Sequence, residues 1–233
     1  VYNRKDELDP LPYFIEWPSL RSKTGRVDVH SLVAFWVNQS KVNGVYLEFG
    51  VASGRSAISA IRASRLYGEP SIKDFFLFDS FKGLPKLEGR DKLSLQFNEG
   101  DFAFSKEEVI SQLKKYECFF EDNIKFIEGY FHDSLNKFRL EDFGYNKVAV
   151  LHIDVDLYES CNVVLKFVTQ YLQTGSIIMF DDWNCFNASD ELGERGSVKK
   201  WLFENPNVCL KEYASYGWHG KVFIVEIYKD WQI

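Results

Sequence analysis

The stretch that most restricts this chain runs from Val148 to Ser160 and reads VAVLHIDVDLYES. It starts as an apolar, β-branched run broken only by His152, and it ends in Asp154 and Asp156 where a helix-like pattern begins. A strand that is hydrophobic on both faces is the habit of parallel sheets in α/β proteins. Open sheets of that kind bind ligands beyond the carboxyl ends of their strands. The design recurs one strand later in Ser176 to Asn184, SIIMFDDWN, which delivers Asp181 and Asp182. Carboxylates gathered at two successive strand ends are costly unless a cation or protons neutralise them. The pattern therefore predicts a divalent-metal site. The competing reading is that Asp154 and Asp156 cap the helix starting near Leu157, Asp being a favoured N-cap, and that Asp181 and Asp182 are solvated loop residues.

Upstream, Val45 to Ser56 (VYLEFGVASGRS) leads into AISAIRASRLYG, a strand, a glycine turn and a helix. The turn lacks the G-x-G-x-x-G glycines that let backbone approach a pyrophosphate. Only Gly50 and Gly54 are present, with Glu48 just before them. A ligand with an ammonium group and no phosphates suits this arrangement. Glu48 would face the cation, Gly50 would permit close approach, and amides at the helix start, around Ser53, Gly54 and Ser56, would bind a carboxylate. The methionine end of S-adenosylmethionine carries those groups. A plain strand–helix turn, with Glu48 paired to Arg55, is the alternative. The next strand, Phe75 to Phe78, ends at Asp79, placed to accept from ribose hydroxyls, with Ser80 following it.

The segment from Lys86 to Phe104 reads as too polar and irregular for core. Loops of that length are commonly functional, so a flap over an acceptor pocket is expected at 86–104. Residues 1–27 read as an arm or lid packed by Tyr13, Phe14 and Trp17. Val27 to Gln39 has helical spacing. Ser105 and Glu108 form a capping-box start for a helix to about Tyr116. A strand is expected over Ile124 to Ile127 and a short helix from Asp133. Further helices are expected over Glu159 to Leu172, stopped by Gly175, and over Gly196 to Phe203. Val208 to Tyr213 and Val222 to Tyr228 read as an antiparallel pair joined through Tyr216 to Gly220. Five βα units and a terminal hairpin predict a doubly wound, mostly parallel α/β sheet with a reversed edge strand. No linker interrupts the pattern, so 1–233 is expected to be a single domain.

The formal charge of −6 argues against a general nucleic-acid binder, which needs a basic face. The 21 phenylalanines predict a Phe-rich core. The four cysteines are widely spaced without a Cys-x-x-Cys pair, which predicts free thiols in a reducing compartment. No apolar run of about 18 residues is present to span a membrane. VYNRKDELDPLPYF lacks the apolar core of a signal peptide. A cytoplasmic location follows as the expectation.

Taken together, YLEFGVASGRSA, FDSFKGLP, GDFAFSKEEV, GYFHDSL, HIDVDLYES and IIMFDDW occur in an order and spacing that resemble the metal-dependent class I methyltransferases of the macrocin O-methyltransferase type. The resemblance runs from about Val45 to Asp182. It implies a Rossmann-like, seven-stranded sheet, S-adenosylmethionine as methyl donor, Mg²⁺ as the usual metal, and a sugar hydroxyl on a glycan or secondary-metabolite precursor as acceptor. Matched position by position, it implies Asp154, Asp181 and Asp182 as metal ligands, Asp156 as general base, and Glu48 and Asp79 as donor-site carboxylates. Mg²⁺ takes about six oxygens, so three carboxylates would leave room for two neighbouring hydroxyls and a water. That favours a vicinal diol in the acceptor. His132 and His219 are alternative bases or sugar contacts, while His152, in mid-strand, reads as a core group. A homo-oligomer is compatible with all of this. The rival readings are a nucleotide-sugar glycosyltransferase using Asp-x-Asp, a hydrolase using the same motif, and a non-catalytic nucleotide-binding module.

Overall fold

The computed structural model describes residues 14–15, 27–66, 72–120 and 122–228. Of the expected arm, Tyr13 and Trp17 lie outside the described residues. Phe14–Ile15 (β1) pairs antiparallel with Val27–Asp28 (β2). The first helix, α1, therefore starts two residues later than its spacing suggested, at Val29–Gln39.

The main sheet is built from Val45–Phe49 (β3), Phe75–Asp79 (β4), Ile124–Glu128 (β5), Val148–Ile153 (β6), Ile177–Phe180 (β7), Val208–Tyr216 (β8) and Gly220–Ile227 (β9). Its strand order is β5-β4-β3-β6-β7-β9-β8. The first five strands are parallel, and β9 runs antiparallel to both β7 and β8. This is the seven-stranded, doubly wound sheet that the sequence implied, with the reversed strand at the hairpin edge, one place in from β8.

Helices α1, Arg55–Ser64 (α2) and Lys106–Lys115 (α3) cover one face, where Tyr46, Leu77, Val150 and Met179 point. On the other face, Leu47, Phe49, Phe78, Leu151 and Ile153 pack toward Tyr158–Val168 (α5) and Gly193–Glu204 (α6), with the short helix Phe131–Ser134 (α4) alongside. The capping box is realised: Glu108 N donates to Ser105 Oγ at 3.2 Å, and Ser105 N donates to Glu108 Oε2 at 2.7 Å.

The segment expected to be too polar for core is a correction. It contains a 3₁₀ turn, Gly89–Leu93, and its Phe97 is buried in a small cluster with Leu157, Cys185 and Phe186. Asp91 and Phe97 face inward and anchor it, while Leu93, Leu95 and Phe102 are exposed along with the polar residues between them, a spacing that no helix or strand period reveals.

The chain leaves β3 for β4 and β5 on one side, then returns to place β6 on the other. That reversal puts the topological switch point between β3 and β6, where Gly50 meets Asp154.

Candidate active site

Gly50 has φ +85°, and a Cβ there would come within 1.7 Å of the Asp154 carbonyl oxygen. This glycine thus permits the close approach of the β3 exit to the residue that follows β6. Asp154 N donates to Phe49 O at 2.9 Å, which locks the two strand exits side by side.

The predicted donor-site residues gather around that turn. Glu48 is fully buried. Its Oε1 accepts from Ser56 Oγ at 2.5 Å and its Oε2 from Tyr46 Oη at 2.6 Å. The Arg55 pairing is therefore not what holds it. Burial pushes its carboxyl up to about 7, against the pull of those two hydroxyls. Asp79 accepts from Val51 N at 2.7 Å and Ala52 N at 3.1 Å on Oδ2, and from Phe81 N at 2.7 Å on Oδ1. It pins the glycine turn to β4, and a carboxylate has lone pairs left for further donors. Ser80 Oγ donates to Gly83 O at 2.9 Å and organises the turn after β4. Ser53 is half-buried in the turn, and Gly54 has φ +82° against Val109.

The four predicted aspartates meet across the β6 and β7 exits. One oxygen each of Asp154, Asp156 and Asp182 lies within 4.8 Å of the others, and Asp181 joins them through two further groups of the same size, with Asp154 and His152 and with Asp182 and His219. Asp156 sits at φ +58° in the left-handed region, and it shares a hydrogen bond with Asp182 when one of the two is protonated. Burial, reinforced by the neighbouring carboxylates, raises Asp154 and Asp156 well above the usual range. Asp181 is pushed up to about 7 by the same causes. Among the described residues, no lysine or arginine forms an ion pair with any of the four. Asp181 Oδ1 and Asp182 Oδ2 are buried without a well-formed hydrogen bond among the described residues, with the Tyr216 hydroxyl near Asp181 and Asp156 near Asp182 each pulling that carboxyl down. Buried oxygens of that kind, in a set of hard ligands, fit a small divalent cation.

His219 comes to this site from the β8–β9 turn. Its Nδ1 lies 2.5 Å from Asp181 O and 3.5 Å from Asp181 Oδ2. His152 is buried with its ring nitrogens 4.0 Å from Glu48 and from Asp181, so it stands between the two halves of the site. His132 is exposed on α4 and paired with Asp133 at 3.2 Å. Sequence reasoning missed Glu194, a fully buried carboxylate in the first turn of α6 whose field reaches Asp154 and Asp156. Nothing in GERGSVKKW marks it, because an acidic residue in a first helical turn is ordinary.

A family model described as macrocin-O-methyltransferase (TylF) matches residues 16–200. The chain belongs to the macrocin O-methyltransferase family. It is accordingly a methyltransferase. It is 28% identical over 192 residues to the 8-demethyl-8-(2,3-dimethoxy-alpha-L-rhamnosyl)-tetracenomycin-C 4'-O-methyltransferase of Streptomyces olivaceus, covering 78% of this chain and 70% of that one. It is 27% identical over 161 residues to the demethyldecarbamoylnovobiocin O-methyltransferase of Streptomyces niveus, covering 65% and 59%. Among solved structures, the O-methyltransferase NovP superposes with a TM-score of 0.68 at 22% identity, covering 84% of this chain and 77% of that one. This macrocin-type methyltransferase thus spans from about three-fifths to seven-tenths of the length of these curated relatives. Among its described residues, no helix is long and apolar enough to cross a membrane.

Proposed function

We propose that the protein transfers a methyl group from S-adenosylmethionine to a sugar hydroxyl, with a divalent cation, Mg²⁺ in the first instance, held by Asp154, Asp181 and Asp182. The observation that carries this reading is the aspartate cluster, with Asp156, Asp181 and Asp182 buried and Asp154 half-buried, which no lysine or arginine among the described residues neutralises and only His219 and His152 approach, beside the β3 turn at the switch point. The curated relatives support the sugar acceptor, since one is named for methylating a rhamnosyl group.

When bound, the cation supplies a positive field that lowers the pKa of an acceptor hydroxyl and orients it. The residues of this chain do the rest. Glu48 faces the donor's ammonium, which would hold its carboxyl ionised against burial. Asp79 offers its spare lone pairs to ribose hydroxyls while keeping the turn in place. Asp156, left off the cation, takes the acceptor's proton on a carboxylate oxygen. The segment 86–104 covers the acceptor and excludes water. Holding donor and acceptor in line contributes much of the rate.

The test is a thermal shift with S-adenosylhomocysteine, with and without Mg²⁺ or Mn²⁺. Stabilisation by S-adenosylhomocysteine that grows with the cation supports the reading. No shift with S-adenosylhomocysteine would sink it.

A further inference from the structure

Glu194 makes two contacts that bear on both cation-bearing loops. Its Oε1 accepts from Val155 N at 3.2 Å, between Asp154 and Asp156. Its Oε2 accepts from Asp182 N at 3.0 Å. We propose that Glu194 is a positioning residue that clasps the β6 and β7 exits together, setting the separation of Asp154 and Asp182 without itself holding the cation. This rests on the reading that the cluster binds a divalent cation.

The local chain is shaped to deliver that side chain. Gly193 has φ +56°, and a Cβ there would lie 2.6 Å from the Phe186 ring. A Cβ on Gly196 would lie 2.5 Å from the Glu191 carbonyl carbon. Without these two glycines, the first turn of α6 would be held off the site. A fifth carboxylate beside four aspartates adds repulsion, and burial adds a desolvation cost. What only a carboxylate supplies here is an acceptor on each of two oxygens. Glutamine has one acceptor and one donor face, so its amide would turn an N–H toward one of the two backbone N–H groups. Alanine would release both loops.

The experiment compares wild type with Glu194→Gln and Glu194→Asp. Three quantities are read: Mn²⁺ affinity by isothermal titration or electron paramagnetic resonance, S-adenosylhomocysteine affinity without cation, and hydrogen-exchange protection of the Val155 and Asp182 amides. Glu194→Gln is expected to weaken Mn²⁺ by about 10–100-fold, the range for groups that orient metal ligands. S-adenosylhomocysteine affinity should be unchanged, and at least one of the two amides should lose protection. Glu194→Asp keeps the charge but is one methylene short of spanning both amides, so it should weaken Mn²⁺ in the same direction. Wild-type Mn²⁺ affinity in either folded variant overturns the clasp. Complete loss of Mn²⁺ binding in Glu194→Gln also overturns it, since Glu194 would then be a ligand. If wild type binds S-adenosylhomocysteine but no Mn²⁺ or Mg²⁺, the cation reading itself falls and takes the clasp with it.

Discussion

Asp91 caps the helix that opens at Tyr158: its Oδ1 accepts from the Tyr158 amide at 2.7 Å, and its Oδ2 accepts from the Glu159 amide at 3.1 Å. The cap therefore comes from the 86–104 segment and not from Asp154 or Asp156. Those two carboxylates are released for the site, and the segment is bolted beside it. Replacing Asp91 by Ala should cost about 1 kcal/mol, as for other lost caps. It should also speed limited proteolysis within 86–104, with Asp91→Asn milder on both counts. A thermal melt and a protease time course check this, and unchanged proteolysis in Asp91→Ala would show that the cap does not hold the segment.

Asp156→Asn should fold normally, because Asn tolerates the left-handed conformation that Asp156 adopts. If Asp156 takes the proton, turnover should fall by about 10²–10⁴-fold, the usual worth of a general base, with S-adenosylhomocysteine affinity retained. Wild-type turnover in this variant would remove Asp156 as the base.

The buried carboxylates make ligand-free stability fall as pH rises. Glu48 moves from 4.5 to about 7 and Asp181 from 3.8 to about 7. An acid whose folded pKa is raised binds its proton more tightly when folded. Its contribution is complete below the unfolded value and is lost as pH climbs through the folded one. Melting temperature without cation should thus drop between about pH 4 and pH 7, and Mg²⁺ should restore more at about pH 8 than at about pH 5. Melts across that range with and without Mg²⁺ decide it, and a flat profile contradicts the assigned burial of charge.

Glu48→Gln should weaken S-adenosylhomocysteine by at least about 10-fold, the loss of a charged partner, while leaving Mn²⁺ affinity intact. Titration calorimetry with each ligand separates the two effects. Equal losses of both would mean that the variant disturbs the whole switch point rather than the donor side.

Gly50→Ala should fail to give soluble, folded protein. The added Cβ strikes backbone at 1.7 Å, and neither β3 nor β6 can move without breaking the sheet. Gly54→Ala meets only a Val109 methyl group at 3.0 Å, although its positive φ also disfavours a side chain. It should fold with a loss of about 1 kcal/mol or somewhat more. Circular dichroism of the two purified variants makes the comparison.

Much of this architecture was legible because hydrophobic runs and breakers are local signals. VAVLHI and SIIMF announce buried parallel strands, and Ser105 with Glu108 announces a helix start that the structure realises at Lys106. The donor-side assignments were legible as positions but not as contacts. Asp79 stands where a ribose acceptor should, yet three backbone amides already engage it, and Ser56 serves Glu48. Gly50 was read for its lack of a side chain, and the structure shows that a side chain there would strike the Asp154 carbonyl. The Val51 and Ala52 amides on Asp79 and the Asp154 carbonyl against Gly50 come from elements distant in sequence, and Ser56 reaches Glu48 only because the turn folds back, none of which a periodicity encodes.

What the sequence determined by itself was the order of strands and helices and the delivery of paired aspartates to two strand ends, because each follows from the chemistry of neighbouring residues. Only the tertiary structure decided which carboxylates meet. It brought His219 in from a distant hairpin and seated Asp91 and Glu194 against backbone amides that the local chain could not satisfy. The reason is the requirement that buried N–H groups and buried charges find partners. That requirement is met only when the whole fold is assembled.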